Sequence, residues 1–280
     1  MYLTREQIAN IIQKVGQPDA STLLNHFFLQ YCNKLTSQDV TDLYDEEYFR
    51  IISNHTTHEM VEGQYKINIY NRFSYDYVKP RIKSDTTLLD LGCGNGDFVL
   101  AVATSGLKLA IGIDHSPAAV DSAKARAQDS HLPCNFHNKD ISAFSTPERF
   151  DFIVLNDVTE HLSDTELDAL FGKLSSLLKP SGEIIIHTPN GLALCNQTDH
   201  SFFTQLYTVY LAVFKKWRGL TRTIDQIYYD QVHINIKSYS QLSSFLSKRN
   251  FRSSVYYDTR NTIPLIRTLS SNMLVIAQTN

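Results

Sequence analysis

Cysteine pairs, an excess of one charge and long apolar runs are all missing from this sequence, and each absence excludes a class of protein. The four cysteines lie far apart and form no C-x-x-C pair, which disfavours a disulfide or zinc framework. A net charge of −3 provides no general attraction to nucleic acid. No stretch reaches the ~20 uncharged apolar residues of a membrane span, and the N-terminus lacks the basic and apolar segments of a signal peptide. We therefore expect a cytoplasmic protein with no transmembrane segment and no nucleic-acid partner.

The remaining composition is that of an ordinary globular protein. Hydrophobic residues make up 42% and charged residues 20% of the 280 residues, which is enough to bury a full core. The most informative stretch is residues 88–98, which read L-L-D-L-G-C-G-N-G-D-F. An apolar pair leads into an acid, three glycines at alternate positions and a second acid, and the residues that follow can form a helix. This pattern predicts the strand, glycine loop and helix that open a nucleotide-binding α/β sheet.

The acids around this loop indicate what it binds. A dinucleotide fingerprint reads G-x-G-x-x-G and rests pyrophosphate on the helix N-terminus, whereas here Asp97 stands where the third glycine of that pattern would be. Asp90 and Asp97 flank the loop and would repel phosphate. The same two carboxylates suit a cationic ligand, such as an α-amino group beside a sulfonium. Spacing and charge thus oppose the competing hypothesis of a nicotinamide-dependent oxidoreductase.

This stretch closely resembles the first motif of the class I S-adenosylmethionine-dependent methyltransferases. Two further turns, V-T-E-H-L at residues 158–162 and T-P-N at residues 188–190, are similar to those of the small-molecule clade of that family. The resemblance implies a Rossmann-like fold, S-adenosyl-L-methionine as cofactor and S-adenosyl-L-homocysteine as product. It also implies methyl transfer to a small-molecule or glycan-like acceptor, for which we favour O-methylation by in-line displacement.

From residue 88 onward, segments typical of strands alternate with segments typical of helices, which predicts a doubly wound α/β fold with a mostly parallel sheet. We expect seven strands, the last of them antiparallel as the resemblance implies. Capping boxes at Thr4–Gln7 and Ser163–Glu166 mark the starts of two helices. Residues 1–65 show no strand pattern and are interpreted as an N-terminal helical cap on the methyltransferase domain, residues 66–280.

Residues 191–231 interrupt this alternation and are interpreted as a helical insertion after strand five, on the acceptor side. Its aromatic residues recur at helical spacing and a basic group follows, so it is either a wall of the acceptor pocket or an amphipathic helix packed on the core. The segment 202–222 is also a candidate for peripheral membrane contact, or for binding a phosphate group of the acceptor. Four tyrosines of the N-terminal region either line a lid over the site or pack the cap on the core: Tyr44, Tyr48, Tyr65 and Tyr70.

Ligands of such sheets bind outside the carboxyl ends of the strands, so we expect one crevice there. Asp114 lies 22 residues past Gly92 at the end of the second predicted strand, where a carboxylate binds ribose hydroxyls. The resemblance makes Asp140 the partner of the adenine amino group and places Ile141 beside the ring. The expected cofactor-binding residues are Asp90, Gly92, Cys93, Gly94, Asn95, Gly96, Asp97, Phe98, Asp114, His115, Ser116, Asp140, Ile141, Asn156, Asp157 and Val158.

Methyl transfer needs a base only if the acceptor must lose its proton as it attacks. The spacing of Asp157, Glu160 and His161 places them on one face if their turn is helical, although the two acids would also fit a capping motif. His187 and His233 are further candidates. A neutral histidine accepts a hydroxyl proton near pH 7, which favours His161. We predict that the catalytic residues are His161, Asp157, His233 and Glu160.

Two alternatives stay open. The small-RNA 3′-terminal 2′-O-methyltransferases hold a divalent metal with an E-x-x-E-H turn and a later histidine, to which the turn at 157–161 and His233 are similar. This chain has Asp157 in place of the first glutamate and lacks the basic balance that RNA favours, so we expect no metal. The other alternative is a non-catalytic protein that binds S-adenosylmethionine.

Overall fold

The computed structural model describes residues 4–15, 60–61, 64–65, 67, 71–128, 130–191, 233–258, 270 and 272–280. Most of the predicted cap and nearly all of the 191–231 insertion lie outside the described residues, as do Tyr44, Tyr48 and Tyr70. No helix within the described ranges combines the length and the apolar character that crossing a lipid bilayer requires. The two cysteines in these ranges, Cys93 and Cys134, are free thiols.

Helices and strands alternate along the described chain. The helices are α1 (Arg5–Val15), α2 (Arg72–Val78), α3 (Asp97–Ala103), α4 (Pro117–Gln128), α5 (Asp164–Leu177) and α6 (Tyr239–Lys248). The strands are β1 (Met60–Val61), β2 (Gln64–Tyr65), β3 (Thr87–Leu91), β4 (Leu109–Asp114), β5 (Cys134–Asn138), β6 (Phe150–Asn156), β7 (Leu178–Pro189), β8 (Phe251–Tyr257) and β9 (Asn272–Thr279). Two short 3₁₀ turns cover Lys79–Arg81 and Thr159–His161.

The larger sheet has seven strands in the order β5-β4-β3-β6-β7-β9-β8. Strands β5, β4, β3, β6 and β7 pair in parallel, whereas β9 runs antiparallel to both of its neighbours. The predicted doubly wound, mostly parallel seven-stranded sheet with an antiparallel last strand is therefore confirmed. Strands β4 and β6 lie on either side of β3 and run parallel to it. The carboxyl ends of all three strands therefore meet at one edge of the sheet.

Helices cover both faces of this sheet. Leu88 belongs to the buried cluster formed with α2, α3 and α4, while its neighbour Leu89 belongs to the cluster formed with α5 and α6. Successive side chains of a strand point to opposite faces, so both must be apolar when both faces are covered. All five residues of β3 are accordingly buried.

The prediction that residues 1–65 contain no strand is wrong for residues 60–65, which include β1 and β2. Strands β1 and β2 form a small antiparallel pair, with Met60 opposite Tyr65. Two-residue strands are too short to show the alternation from which a strand is recognised in a sequence. Strand β7, the fifth of the larger sheet, begins at Leu178 directly after α5, and its pairing register with β6 shifts between Phe150 and Phe152.

Both predicted capping boxes are confirmed. Ser163 Oγ accepts from the Glu166 backbone N–H at 3.4 Å, and Glu166 Oε2 accepts from the Ser163 N–H at 2.8 Å. Thr4 and Gln7 exchange the equivalent bonds at the start of α1. These side chains satisfy N–H groups that have no partner inside the helix.

Replacing the cap of α5 should destabilise the fold measurably. We expect Ser163→Ala to lower the free energy of unfolding by about 1 kcal/mol, because an N-cap oxygen is lost. Urea denaturation of both proteins measures the difference. Ser175→Ala is the matched control: Ser175 is exposed in the same helix and its Oγ bonds only the Gly172 carbonyl, at 3.3 Å. An equal loss in both variants would contradict the prediction.

Candidate active site

The loop between β3 and α3 is shaped by its three glycines. Gly92, Gly94 and Gly96 all have left-handed backbone angles, with φ of +79°, +51° and +77°. A Cβ on Gly92 would lie 2.5 Å from Val158 Cγ2, and one on Gly96 would lie 2.7 Å from the Phe136 ring. A Cβ on Gly94 would meet nothing within 4 Å. Packing thus requires the outer two glycines, while the middle one leaves its backbone open to a ligand.

Asp90 is a buried acid at the end of β3. Asp90 is only 2% exposed, and its Oδ1 has no hydrogen-bond partner in the part of the chain that the structure describes. Burial, and next the nearby Asp114, raise the pKa of Asp90 to about 8. A buried carboxyl with an unused oxygen fits a cationic partner, such as the ammonium group of the expected cofactor.

Asp114, at the end of β4, fastens the glycine loop. Oδ2 accepts from the Gly94 N–H at 2.8 Å, and Oδ1 accepts from the Ser116 N–H at 2.9 Å. Lys139 N donates to the Asp114 carbonyl at 2.9 Å, which brings the segment that carries Asp140 beside β4. The predicted contact of Asp114 with ribose hydroxyls stays a prediction.

Asp97 carries the second charge of the loop, and it already has a cationic partner. Arg126 Nη1, in the last turn of α4, lies 2.7 Å from Asp97 Oδ1 and also donates to the Asn95 carbonyl at 2.6 Å. Arg126 thus supplies a positive charge beside Asp97 from within the protein, and the predicted contact of Asp97 with the cofactor stays a prediction. The sequence does not indicate this pair, because the two residues lie on different helices.

The other predicted cofactor residues differ in their surroundings. Cys93, Asn95, Phe98, Ser116 and Val158 are buried; burial, then Asp114 and Asp90, raise the pKa of the Cys93 thiol. His115 and Asp140 are exposed, and Ile141 packs partly buried against the core. Asn156 Oδ1 accepts from Ser74 Oγ at 2.5 Å. The cofactor contacts of all sixteen residues stay predictions.

A second group of polar side chains lies where β6 ends. Asp157 has a left-handed backbone, with φ of +52°, and its N–H donates to the His187 carbonyl at 2.9 Å. His187, in β7, is 2% exposed, and its Nδ1 lies 2.9 Å from Asp157 Oδ1. Burial disfavours the Asp157 carboxylate, but His187, then His233 and His161, outweigh burial and lower the pKa of Asp157. A non-glycine residue in this conformation is held by its surroundings and is a mark of functional sites.

Glu160 is the fully buried acid of this group. Its Oε2 accepts from Thr188 Oγ1 at 3.0 Å, and Oε1 has no hydrogen-bond partner among the described residues. Burial, and next the charge of Asp157, raise the pKa of Glu160 well above its usual value. The Glu160 carbonyl accepts from Asn235 N at 2.9 Å, which fixes the segment that follows His233 beside this turn.

His161 and His233 complete the group. Their ring centroids lie 5.0 Å apart with the planes inclined by 33°. Glu160, His161 and His233 each offer one ligand atom, and these atoms all lie within 4.8 Å of one another. Two imidazoles and a carboxylate are a donor set that suits a divalent transition metal. The structure thus brings the four predicted catalytic residues together, and the expectation of no metal stays untested.

Helical spacing does not explain why these residues lie together. Only Thr159–His161 forms a helical turn, and Asp157 lies outside it, so the three residues do not share one helix face. Nor do Asp157 and Glu160 form a capping motif, since the turn has no side-chain cap and Glu160 instead bonds Thr188. Strand β7 and the segment after residue 232 hold the group together. His187 was a weaker candidate from sequence, and its pairing with Asp157 has no sequence signal.

The protonation of Asp90 should appear in the pH dependence of stability. The folded-state pKa of about 8 exceeds the unfolded value of 3.8, so the native state binds the extra proton between them. The contribution to stability is complete below pH ~4 and is lost as the pH rises through about 8. We expect Asp90→Asn to melt at a higher temperature than the wild type at pH 8, by at least about 3 °C, and to lose this advantage at pH 4.

Thermal melts from pH 4 to pH 9, without ligand, measure the effect. Asp76→Asn is the control, since Asp76 is exposed and pairs with Arg72. The raised pKa of Glu160 also makes stability fall as the pH rises. The decrease of melting temperature with pH should therefore be smaller in Asp90→Asn than in the wild type, but should not disappear. A constant difference between wild type and Asp90→Asn at every pH would contradict the assignment.

Known proteins share this fold and part of this sequence. A family model described as "Methyltransferase domain" matches residues 82–229. Magnesium protoporphyrin IX methyltransferase from Synechocystis PCC 6803, with bound SAH, is 18% identical with a TM-score of 0.57, covering 87% of this chain and 99% of that one. An S-adenosylmethionine-dependent methyltransferase from Clostridium acetobutylicum ATCC 824 is 13% identical with a TM-score of 0.55, covering 84% of this chain and 96% of that one. At these identities the likeness concerns the fold.

Curated relatives are more similar over a shorter stretch. The ubiquinone biosynthesis O-methyltransferase of Rhodopseudomonas palustris (strain HaA2) is 34% identical over 107 residues, 38% of this chain and 41% of that protein. The protein of that name from Coxiella burnetii (strain Dugway 5J108-111) is 28% identical over 145 residues, 51% of this chain and 57% of that protein. The matches thus span between about two fifths and three fifths of these relatives. Because the family model matches more than half of the 280 residues, this chain belongs to the methyltransferase-domain family, the class I S-adenosylmethionine-dependent methyltransferases that its sequence resembles.

Proposed function

We propose that this protein transfers a methyl group from S-adenosylmethionine to an oxygen atom of a small-molecule acceptor. The observation that carries the proposal is the contact between the glycine loop and the turn after β6, at the carboxyl edge of the sheet. Val158 leaves no room for a side chain on Gly92, so the turn that bears Glu160 and His161 adjoins the loop that follows Asp90. A donor bound at the loop therefore lies beside residues able to bind an acceptor.

The residues of the loop fit the donor. Asp90 offers a buried oxygen without a hydrogen-bond partner among the described residues, and Gly94 leaves open space beside the backbone. When bound, the sulfonium supplies a methyl group that is already activated for displacement. The protein must then hold donor and acceptor in line and exclude water, which the buried surroundings of Asp90 and Glu160 favour.

The residues of the adjoining turn fit a hydroxyl acceptor. His161 and His233 are partly exposed, as an acceptor-facing pair must be, while Glu160 and His187 behind them are buried. A neutral imidazole can accept the hydroxyl proton as the oxygen attacks the methyl carbon. The names of the curated relatives favour oxygen in a small molecule, and a net charge of −3 does not favour RNA. We also place the protein in the cytoplasm, as the sequence predicts.

Binding and turnover test the proposal separately. Calorimetric titration with S-adenosylmethionine and with NAD⁺ should detect the first and not the second. Release of S-adenosylhomocysteine is then followed with simple catechols, phenols and nucleotide sugars as acceptors. Turnover on at least one hydroxyl compound supports the proposal. Binding of NAD⁺ alone would overturn it, and donor binding without turnover on any acceptor would favour the non-catalytic alternative.

His161 provides a sharper test once an acceptor is found. We expect His161→Asn to lower kcat by about 10²-fold, the usual contribution of a general base, and to leave the affinity for S-adenosylmethionine within twofold. Steady-state kinetics and calorimetry measure the two quantities. His137→Asn is the control, because His137 is an exposed histidine on the edge strand β5. A parallel loss of donor affinity would mean that His161 acts on the cofactor side.

Metal assistance is a second candidate, favoured by the convergence of Glu160, His161 and His233. A bound divalent ion would be held by these three residues and would polarise the acceptor oxygen as a Lewis acid. Activity is compared after dialysis against EDTA and after return of Mg²⁺, Mn²⁺ or Zn²⁺, with small hydroxyl compounds and an RNA oligonucleotide as acceptors.

Glu160→Gln should weaken the binding of the ion itself by at least about tenfold, because even the loss of an outer-shell partner of a metal ligand typically costs that much. Titration with Mn²⁺ measures this without turnover. Glu166→Gln, on the neighbouring helix α5, is the control for a general loss of acidic charge. Full activity in EDTA, together with no Mn²⁺ binding, would exclude the metal-assisted route and with it the RNA alternative.

A further inference from the structure

Arg126, a cation outside the group of Asp157, Glu160, His161 and His233, contacts the glycine loop. Arg126 reaches from the last turn of α4 to the loop, where one nitrogen, Nη1, serves two acceptors. It lies 2.7 Å from Asp97 Oδ1 and 2.6 Å from the Asn95 carbonyl oxygen. These acceptors stand on either side of Gly96. The guanidinium is largely enclosed, with its side chain 16% exposed, so water weakens these charge-assisted bonds little.

The same arginine contacts the hairpin of β1 and β2. Tyr65 Oη donates to the Arg126 carbonyl oxygen at 2.9 Å, and the guanidinium carbon lies 5.7 Å from the centroid of the Tyr65 ring. Tyr65 also packs against the buried cluster that contains Phe98, the second residue of α3. The hairpin, helix α4 and the glycine loop therefore meet at one residue, through its main-chain carbonyl and its guanidinium group.

A glycine loop needs such external contacts. Each of its three glycines has a left-handed backbone, and glycine loses more conformational freedom on ordering than any other residue. If the loop is already ordered before the ligand binds, the free energy of ordering it does not reduce the binding affinity. Asp114 fixes the middle of the loop through Gly94, and Arg126 fixes its end through Asn95 and Asp97.

The charge of Asp97 gives Arg126 a second effect. With Arg126 beside it, the Asp97 carboxylate is compensated within the protein. Asp90, just before the loop, then remains as the acid with a buried oxygen, Oδ1, that has no hydrogen-bond partner in the described ranges. This leaves Asp90 as the acid beside the loop that can accept a donor cation.

We propose that Arg126 is a positioning residue for the methyl donor: it holds residues 95–97 in the binding shape and, through Tyr65, couples the N-terminal hairpin to donor affinity. This inference rests on the proposed function, because it requires that the glycine loop bind S-adenosylmethionine. It concerns the order of the loop and adds no contact between Arg126 and the donor.

Donor affinity of the full chain tests the inference. We expect Arg126→Gln to raise the Kd for S-adenosylmethionine about tenfold, since two charge-assisted bonds are lost. Arg126→Lys, which keeps the charge but not the planar geometry, should recover about half of that loss on a logarithmic scale. Tyr65→Phe should raise Kd about twofold to threefold. In steady-state assays KM for the donor should rise while kcat at saturating donor stays within twofold.

Two comparisons separate positioning from general damage. Arg249→Gln removes an exposed ion pair with Asp168, and it should leave the donor Kd unchanged. A cycle of Tyr65→Phe, Arg126→Gln and the double variant should be non-additive, because Tyr65 acts through Arg126. If Arg126→Gln does not fold, Arg126→Lys and Tyr65→Phe still carry the test.

The outcomes are distinct from those of the proposed function. Wild-type protein that does not bind S-adenosylmethionine would refute the proposed function. Wild-type protein that binds it, while Arg126→Lys and Tyr65→Phe bind equally well, would overturn the positioning role alone. Affinity losses that add exactly across the cycle would remove the coupling of the hairpin to the loop.

Discussion

The parallel pairing of β3 with a strand on each side is the constraint on which the site depends. Asp90 lies opposite Gly112 of β4 and opposite Val154 of β6, so the three strands end together. The loop after β3 consequently lies between Asp114 on one side and the turn of Asp157 on the other. Gly112 is part of this constraint, because a Cβ there would lie 2.7 Å from the Phe136 ring and 2.8 Å from Cys93 Sγ.

The acids at this edge are divided into two kinds by their surroundings. Asp97 and Asp157 have basic partners, Arg126 and His187, at 2.7 and 2.9 Å. Asp90 and Glu160 are buried, and each has an oxygen without a hydrogen-bond partner among the described residues. Burying a carboxyl in this way costs free energy that the rest of the fold must supply. Such groups persist where a ligand completes them, which is consistent with a donor at Asp90 and an acceptor or ion near Glu160.

Three separate segments build the group of polar side chains at the end of β6. The turn after β6 provides Glu160 and His161, strand β7 provides His187 and Thr188, and the segment from residue 233 provides His233. Asp157, with its left-handed backbone, contacts His187 through two groups. Its N–H donates to the His187 carbonyl, and its carboxylate lies beside the His187 ring. A strand of the central sheet makes these contacts, and such an element positions a side chain more precisely than a loop does.

The sequence by itself determined the fold class, the order of strands and helices, and the location of the glycine loop, since apolar periodicity, capping boxes and glycine spacing are local patterns. The sequence also singled out Asp157, Glu160, His161 and His233, which the structure brings together, while their catalytic role stays a prediction. Only the tertiary structure decided how the charges are paired. Arg126 lies 29 positions after Asp97, and His187 lies 30 positions after Asp157. No periodicity links such pairs, because they meet only when helices and strands pack side by side.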